Sequence, residues 1–218
     1  MKDREIHAAV RILRREAPEW QTPVVTLIAE ASDSPFKVLI SCILGLRTQD
    51  NTTAQASRRL FALADSPETM VRLTVKKIEE AIYPVGFYRT KAKTILEICR
   101  NLNEKYRGRV PDEIDELIKF KGIGRKTANL VVTLGYNKPG ICVDTHVHRI
   151  SNRWGYIKTA TPEKTEVALR RKLPKQYWIE YNDLLVSFGQ QLCRPISPLC
   201  SQCPVAKYCS QVGVTVKR

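Results

Sequence analysis

Acidic residues are scarce in this chain: 22 Asp and Glu stand against 36 Lys and Arg, a formal net charge of +14. A deficit of that size points to a polyanionic partner, nucleic acid ahead of an anionic membrane surface. Long apolar runs are missing too. None approaches the roughly 20 residues that span a bilayer, so no membrane role is expected. The first stretch, MKDREIHAAVRILRREAPEW, mixes both charge signs through its apolar positions. It lacks the apolar centre of a secretion signal, which places the protein in a reducing, cytoplasmic setting. No strand-like alternation, low-complexity segment or long linker stands out.

What is present is helical periodicity. The chain has 218 residues, 43% of them hydrophobic, enough for one or two domains with a real core. Ile6, Val10, Leu13 and Ala17 recur at three- or four-residue spacing, as do Val38, Cys42 and Leu46. Similar patterns cover 54–64, 75–82, 90–102, 113–119, 126–135, 145–154, 163–173 and 178–189. Breakers separate them: Pro35, Pro67, PVGF at 84–87, GRVPD at 108–112, GIG at 122–124, NKPG at 137–140 and Pro162. Short connections between about ten helices imply an all-α fold. The apolar triplet ICV at 141–143 is too short to assign.

The seven cysteines are unevenly spread. Cys42, Cys99 and Cys142 lie in apolar surroundings and read as small core residues. Cys193, Cys200, Cys203 and Cys209 crowd into 17 residues as C-x6-C-x2-C-x5-C. Four thiolates in one irregular loop suit zinc or an iron–sulfur cluster, and four exposed free thiols would invite oxidation. Spacing leaves the two metals even.

The segment FKGIGRKTANLVVTLGY, residues 120–136, places two glycines between two helical patterns. Asp112 is read as the N-cap of the first helix, DEIDELIKF, which stops before Gly122. Gly122 and Gly124 are expected to adopt angles that other residues resist, letting the chain reverse in few residues. The N–H groups opening the next helix near Arg125 then form a phosphate site, where neighbouring cations become favourable. Lys126 reads as one phosphate contact among many, or as something more. Beside a helix N-terminus and Arg125 it sits in a field that opposes its charge and favours the neutral amine. Such an amine can attack an electrophilic sugar carbon and collapse to a Schiff base.

VDTHVHRI, residues 143–150, puts Asp144 just ahead of a helical pattern, so it is a natural N-cap. Its carboxylate is also suited to take a proton from Lys126 or to stabilise positive charge on a sugar. His146 and His148, two apart, point to different helix faces and read as surface or hydrogen-bonding residues, not metal ligands.

GIGRKTAN, VDTHVHRI and the four-cysteine spacing, in this order, resemble the endonuclease III branch of the helix-hairpin-helix DNA glycosylases. YPVGFYRTKAKTI at 83–95 extends the resemblance, which runs over nearly the whole chain. It implies a two-lobed all-α protein with double-stranded DNA between the lobes. One lobe would be a six-helix barrel at 26–137, with the hairpin motif at about 112–136; the other would join 1–25 to 138–218 around a [4Fe–4S] cluster on Cys193, Cys200, Cys203 and Cys209. Lys126 falls on the family's nucleophile and Asp144 on its catalytic aspartate. The activity implied is excision of oxidised pyrimidines followed by β-elimination 3′ to the abasic site, by a monomer associated with the nucleoid in a prokaryote.

Gly122, Gly124, Arg125 and Arg194 would contact DNA. Arg47, where many members have glutamine, or Gln49 would fill the gap left by the flipped base. The first cluster loop, RPISPL, carries Arg194 as its one cation. Mismatch glycosylases of the same fold lack the lysine and carry a further C-terminal domain. Lys126, and a chain ending nine residues after Cys209, fit the bifunctional branch. The rivals are a monofunctional mismatch or alkylated-base glycosylase and a non-catalytic zinc-stapled DNA-binding module.

Overall fold

Residues 1–218 are described by a computed structural model, helical throughout with no strand. Two compact units arise. One is Val24–Lys138; the other joins Met1–Pro23 to Pro139–Arg218.

The 24–138 unit is built on α3 (Pro35–Gly45), whose residues from Val38 to Leu44 are all buried. Apolar on every side, it can only be a central helix. Ser34 caps it by accepting the Lys37 N–H at 3.3 Å, and Pro35 occupies the first helical position, where a missing N–H costs nothing. Around it pack α2 (Val24–Ser32), α4 (Asp50–Leu63), α7 (Tyr88–Tyr106) and α9 (Arg125–Tyr136). The turn α5 (Pro67–Met70), α6 (Val75–Ile82) and the single turn α8 (Ile114–Leu117) complete the unit. Helix α2 escapes the periodicity reading because it has no clean stripe: Val24 and Thr26 are its buried residues while Leu27 is 48% exposed.

Two expected elements change. Leu46 does not continue α3, which ends at Gly45; Leu46 is the cap and is exposed. The helix expected from Asp112 shrinks to α8, capped by Glu113 without a side-chain bond. Asp112 is drawn elsewhere, its carboxylate 2.7 Å from the Lys138 ammonium, which also lies 2.9 Å from Glu113.

The second unit gathers α1 (Asp3–Glu16), α10 (Thr145–Arg153), α11 (Pro162–Lys172) and α12 (Tyr181–Gln191). In α1 the stripe Ile6, Ala9, Val10 and Leu13 is fully buried, the i, i+3, i+4, i+7 set of an amphipathic helix. Its core is rich in large rings, Trp154, Tyr156, Tyr181 and Phe188, and the Tyr181 hydroxyl is satisfied by Ser151 at 3.1 Å. ICV at 141–143 is irregular and buried. Residues 193–218 form no α-helix, only 3-10 turns at Cys200–Gln202 and Ala206–Tyr208. Cys42, Cys99 and Cys142 are buried as core residues.

Candidate functional site

The hairpin turns on Gly122. Its φ of +85° lies in the left-handed region, and Phe120 and Ile123 on either side plug into the core of the 24–138 unit. Gly124 departs from expectation. As N-cap of α9 it has φ −94° and ψ 173°, an extended conformation open to any residue, and an added Cβ would meet nothing within 4 Å. Neither conformation nor packing requires glycine there. What its lack of a side chain preserves is open surface at the positive end of α9. Arg125 and Lys126 are the first two residues of that helix, both exposed. Lys126 lies near Cys42 of α3: burial pushes that thiol up to about 12, and the lysine's charge pulls against it.

Asp144 is the N-cap of α10 in fact as well as by pattern. Its Oδ1 accepts the N–H groups of His146 at 2.8 Å and Val147 at 2.9 Å. One carboxylate oxygen is therefore pinned, and with it the side chain's rotamer. His148 Nδ1 pairs with Thr165 Oγ1 at 2.7 Å, and His146 Nδ1 lies 3.1 Å from an Arg149 nitrogen. Both histidines serve hydrogen bonding. Helix α12 passes close to this turn: a Cβ on Gly189 would collide with His146 Nδ1 and stand 2.9 Å from Arg149 and 3.0 Å from Ile150.

Cys193, Cys200, Cys203 and Cys209 line a single cavity with Trp154, Phe188 and neighbouring apolar residues. They are not exposed: Cys193 is buried and the other three are intermediate. Arg153, 7% exposed, donates to Cys193 Sγ at 3.4 Å and to the Arg194 and Pro195 carbonyls at 2.8 and 3.1 Å. The Gln211 N–H reaches Cys209 Sγ at 3.3 Å. Burial, reinforced by the three other thiols, pushes Cys203 up to about 11. Such thiols ionise when a cationic centre takes them, and N–H donors then suit the thiolates. Four soft donors lining one apolar space have the donor chemistry of an iron–sulfur or zinc site.

The expected wedge residues lie on the turn between α3 and α4. Arg47 is exposed in a left-handed conformation, φ 53°, and Gln49 is the exposed N-cap of α4. Sequence reading missed a companion, Phe87, which is 62% exposed at φ 58° with the Arg47 guanidinium 5.5 Å from its ring centroid. PVGF registers as a helix breaker; the signal passed over is a large aromatic beside a glycine in a basic stretch. Also missed was Lys91, buried on α7 in line with Ile95, Cys99 and Leu102. A lysine on an apolar stripe was the available clue. Arg194 is exposed, its Nε bonded to the Gln191 carbonyl at 3.2 Å.

Residues 40–175 match the family model of the HhH-GPD superfamily base excision DNA repair protein. Endonuclease III of Thermotoga maritima is 48% identical over 175 residues, 80% of this chain and 82% of that one. A solved non-covalent complex of an endonuclease III with DNA superposes with a TM-score of 0.85 at 31% identity, covering 97% of this chain and 96% of the other. A trapped covalent intermediate of an endonuclease III with DNA gives 0.83 at 30% identity, covering 97% of each chain.

Proposed function

Because this chain belongs to the endonuclease III family of HhH-GPD base excision DNA repair proteins, and is a bifunctional DNA glycosylase and AP lyase, we propose that Lys126 is its nucleophile, Asp144 its catalytic carboxylate and oxidised pyrimidines in duplex DNA its substrates. The observation that carries the assignment is the contrast between two first turns. Lys126 opens α9 beside bare surface, while Asp144 opens α10 with one oxygen fixed and the other left for chemistry.

Phosphates are drawn by the +14 charge and dock at the hairpin, through Gly122, Gly124 and Arg125, with Arg194 holding another. The damaged nucleotide is extruded, which costs less when its stacking is already impaired. Arg47 and Phe87 together enter the gap, with the exposed Gln49 at the N-cap of α4 as the alternative to Arg47. Asp144 takes a proton from the Lys126 ammonium. The freed amine attacks C1′, the C1′–N bond breaks, and the base leaves with the bonding pair and a proton. The C1′–O4′ bond then breaks as the nitrogen lone pair closes the protonated imine, and O4′ takes the proton that Asp144 had received. Removal of a C2′ proton then expels the 3′ phosphate by β-elimination.

Cys193, Cys200, Cys203 and Cys209 would hold a [4Fe–4S] cluster, with zinc as the rival occupant. Its contribution when bound is structural, fixing a loop that carries Arg194. We also propose that the protein acts as a monomer in the cytoplasm, on nucleoid DNA where the source is a prokaryote; no helix of the structure is long and apolar enough to cross a membrane.

Borohydride reduction of the protein on thymine-glycol or abasic duplex tests the chemistry. A trapped adduct is expected, and Lys126→Gln should abolish it while DNA affinity changes within a few-fold. Strand cleavage that survives this substitution overturns the assignment. Absence of an adduct in the unaltered protein would favour the monofunctional reading.

A further inference from the structure

A lysine side chain is rarely buried without a carboxylate beside it. Lys91 is 7% exposed, and its Nζ meets only neutral oxygens: the carbonyls of Leu44 at 2.8 Å and Leu46 at 2.5 Å, and Thr48 Oγ1 at 3.2 Å. Two of these are carbonyls at the C-terminal end of α3, where a helix's negative pole receives a cation. An ammonium has three donors, and here three acceptors converge on it. A planar guanidinium would not match them.

The bonded stretch, Leu44 to Thr48, is the turn that displays Arg47. It is joined to a second turn. Thr48 Oγ1 also accepts the Gly86 N–H at 3.2 Å, and Gly86 lies so close that an added Cβ would stand 2.6 Å from the Arg47 carbonyl oxygen. Phe87 follows directly. Both displayed residues are left-handed, a conformation that a non-glycine residue keeps only when its surroundings over-determine it.

We propose that Lys91 is a positioning residue: it clamps the turn carrying Arg47 to the turn carrying Phe87, holding the pair as a preformed blade that confers preference for duplex over single-stranded substrates. The inference rests on the reading of Arg47 and Phe87 as the gap-filling pair. A loose blade would still allow imine chemistry on an unpaired strand, where no gap has to be filled. In duplex DNA the pair would have to be ordered at the moment of extrusion, slowing base release.

The test compares base excision in duplex with cleavage of a single-stranded abasic oligonucleotide, for unaltered protein, Lys91→Met, Thr48→Val and the double variant Arg47→Ala/Phe87→Ala. Hydrogen bonds from a charged donor predict that Lys91→Met lowers the duplex-to-single-strand rate ratio by about tenfold or more. Thr48→Val, which keeps the lysine, should lower it by a few-fold and covers the case of a poorly folded Lys91→Met. 2-Aminopurine opposite the lesion should brighten on binding the unaltered protein and much less with either variant. Equal loss on both substrates, or an unchanged ratio, overturns the proposal. If the double variant alone keeps its duplex preference, the gap-filling reading fails; if it loses that preference and both clamp variants keep theirs, the clamp fails.

Discussion

At the scale of single residues, the N-cap bonds of Asp144 and the catalytic role proposed for it are separable. Asp144→Ala removes the acceptor for two N–H groups and should cost about 1 kcal/mol of stability, read by urea unfolding. Asp144→Asn keeps an acceptor oxygen on the same rotamer, so its stability should stay near that of the unaltered protein. Its excision rate should still fall about a hundredfold or more, since an amide cannot take the proton. Full activity in the asparagine variant would show that the cap is the residue's whole purpose. Lys91 gives a prediction in pH. Burial lowers it from 10.5 to about 8. Between those values the unfolded chain holds more protons than the folded one, so this group's contribution to stability rises with pH. Below about 8 the ammonium carries its full desolvation penalty. The unfolding free energy of the unaltered protein, measured relative to Lys91→Met, should improve across that window; a flat difference contradicts the buried charge.

Among the elements, the two hairpin glycines should separate cleanly. Gly122→Ala forces a side chain onto φ +85° with Thr94 Cγ2 3.2 Å away, and should destabilise by about 1 kcal/mol or more. Gly124→Ala should leave the thermal midpoint almost unchanged yet weaken binding of an abasic duplex in fluorescence anisotropy. Equal effects on folding and binding at both positions would contradict this division. Much of the element order is legible in sequence because each clear helix has a stripe such as Ile6–Leu13 or a capping residue such as Asp144. Helix α2 has neither, and α8 was overestimated because Asp112 has a better partner in Lys138 than the N–H groups it was expected to cap. The cysteine loop is readable because thiol spacing survives without regular structure. Phe87 and Lys91 were not, since their meaning comes from contacts across 40 or so positions of chain, which no periodicity encodes.

At the level of the whole molecule, each unit has its own apolar core, but residues 193–218 bury only Cys193 and Val205 in the second, with Cys203, Tyr208 and Cys209 packed at its edge. Their order rests on the thiol-lined cavity, Arg153 and short-range backbone bonds, with a few links outward such as Ser210 N to the Trp154 carbonyl at 3.3 Å. With the proposed cluster on these thiols, Cys203→Ser should lower the iron content and expose 193–218 to protease while the 24–138 unit resists. Mass spectrometry of a limited digest reads the order of cuts, and a loop that stays protected without metal would show that the protein alone holds it. The close approach of α12 to α10 reaches further than its lack of bulk suggests. Gly189 touches no proposed reacting group, but the acid at residue 144 is rooted in the turn against which that glycine fits. A single methyl there would press on the His146 ring and the Arg149 guanidinium, which flank the turn holding the proposed catalytic carboxylate, so Gly189→Ala should leave a folded protein with slower turnover, through an atom the chain leaves out.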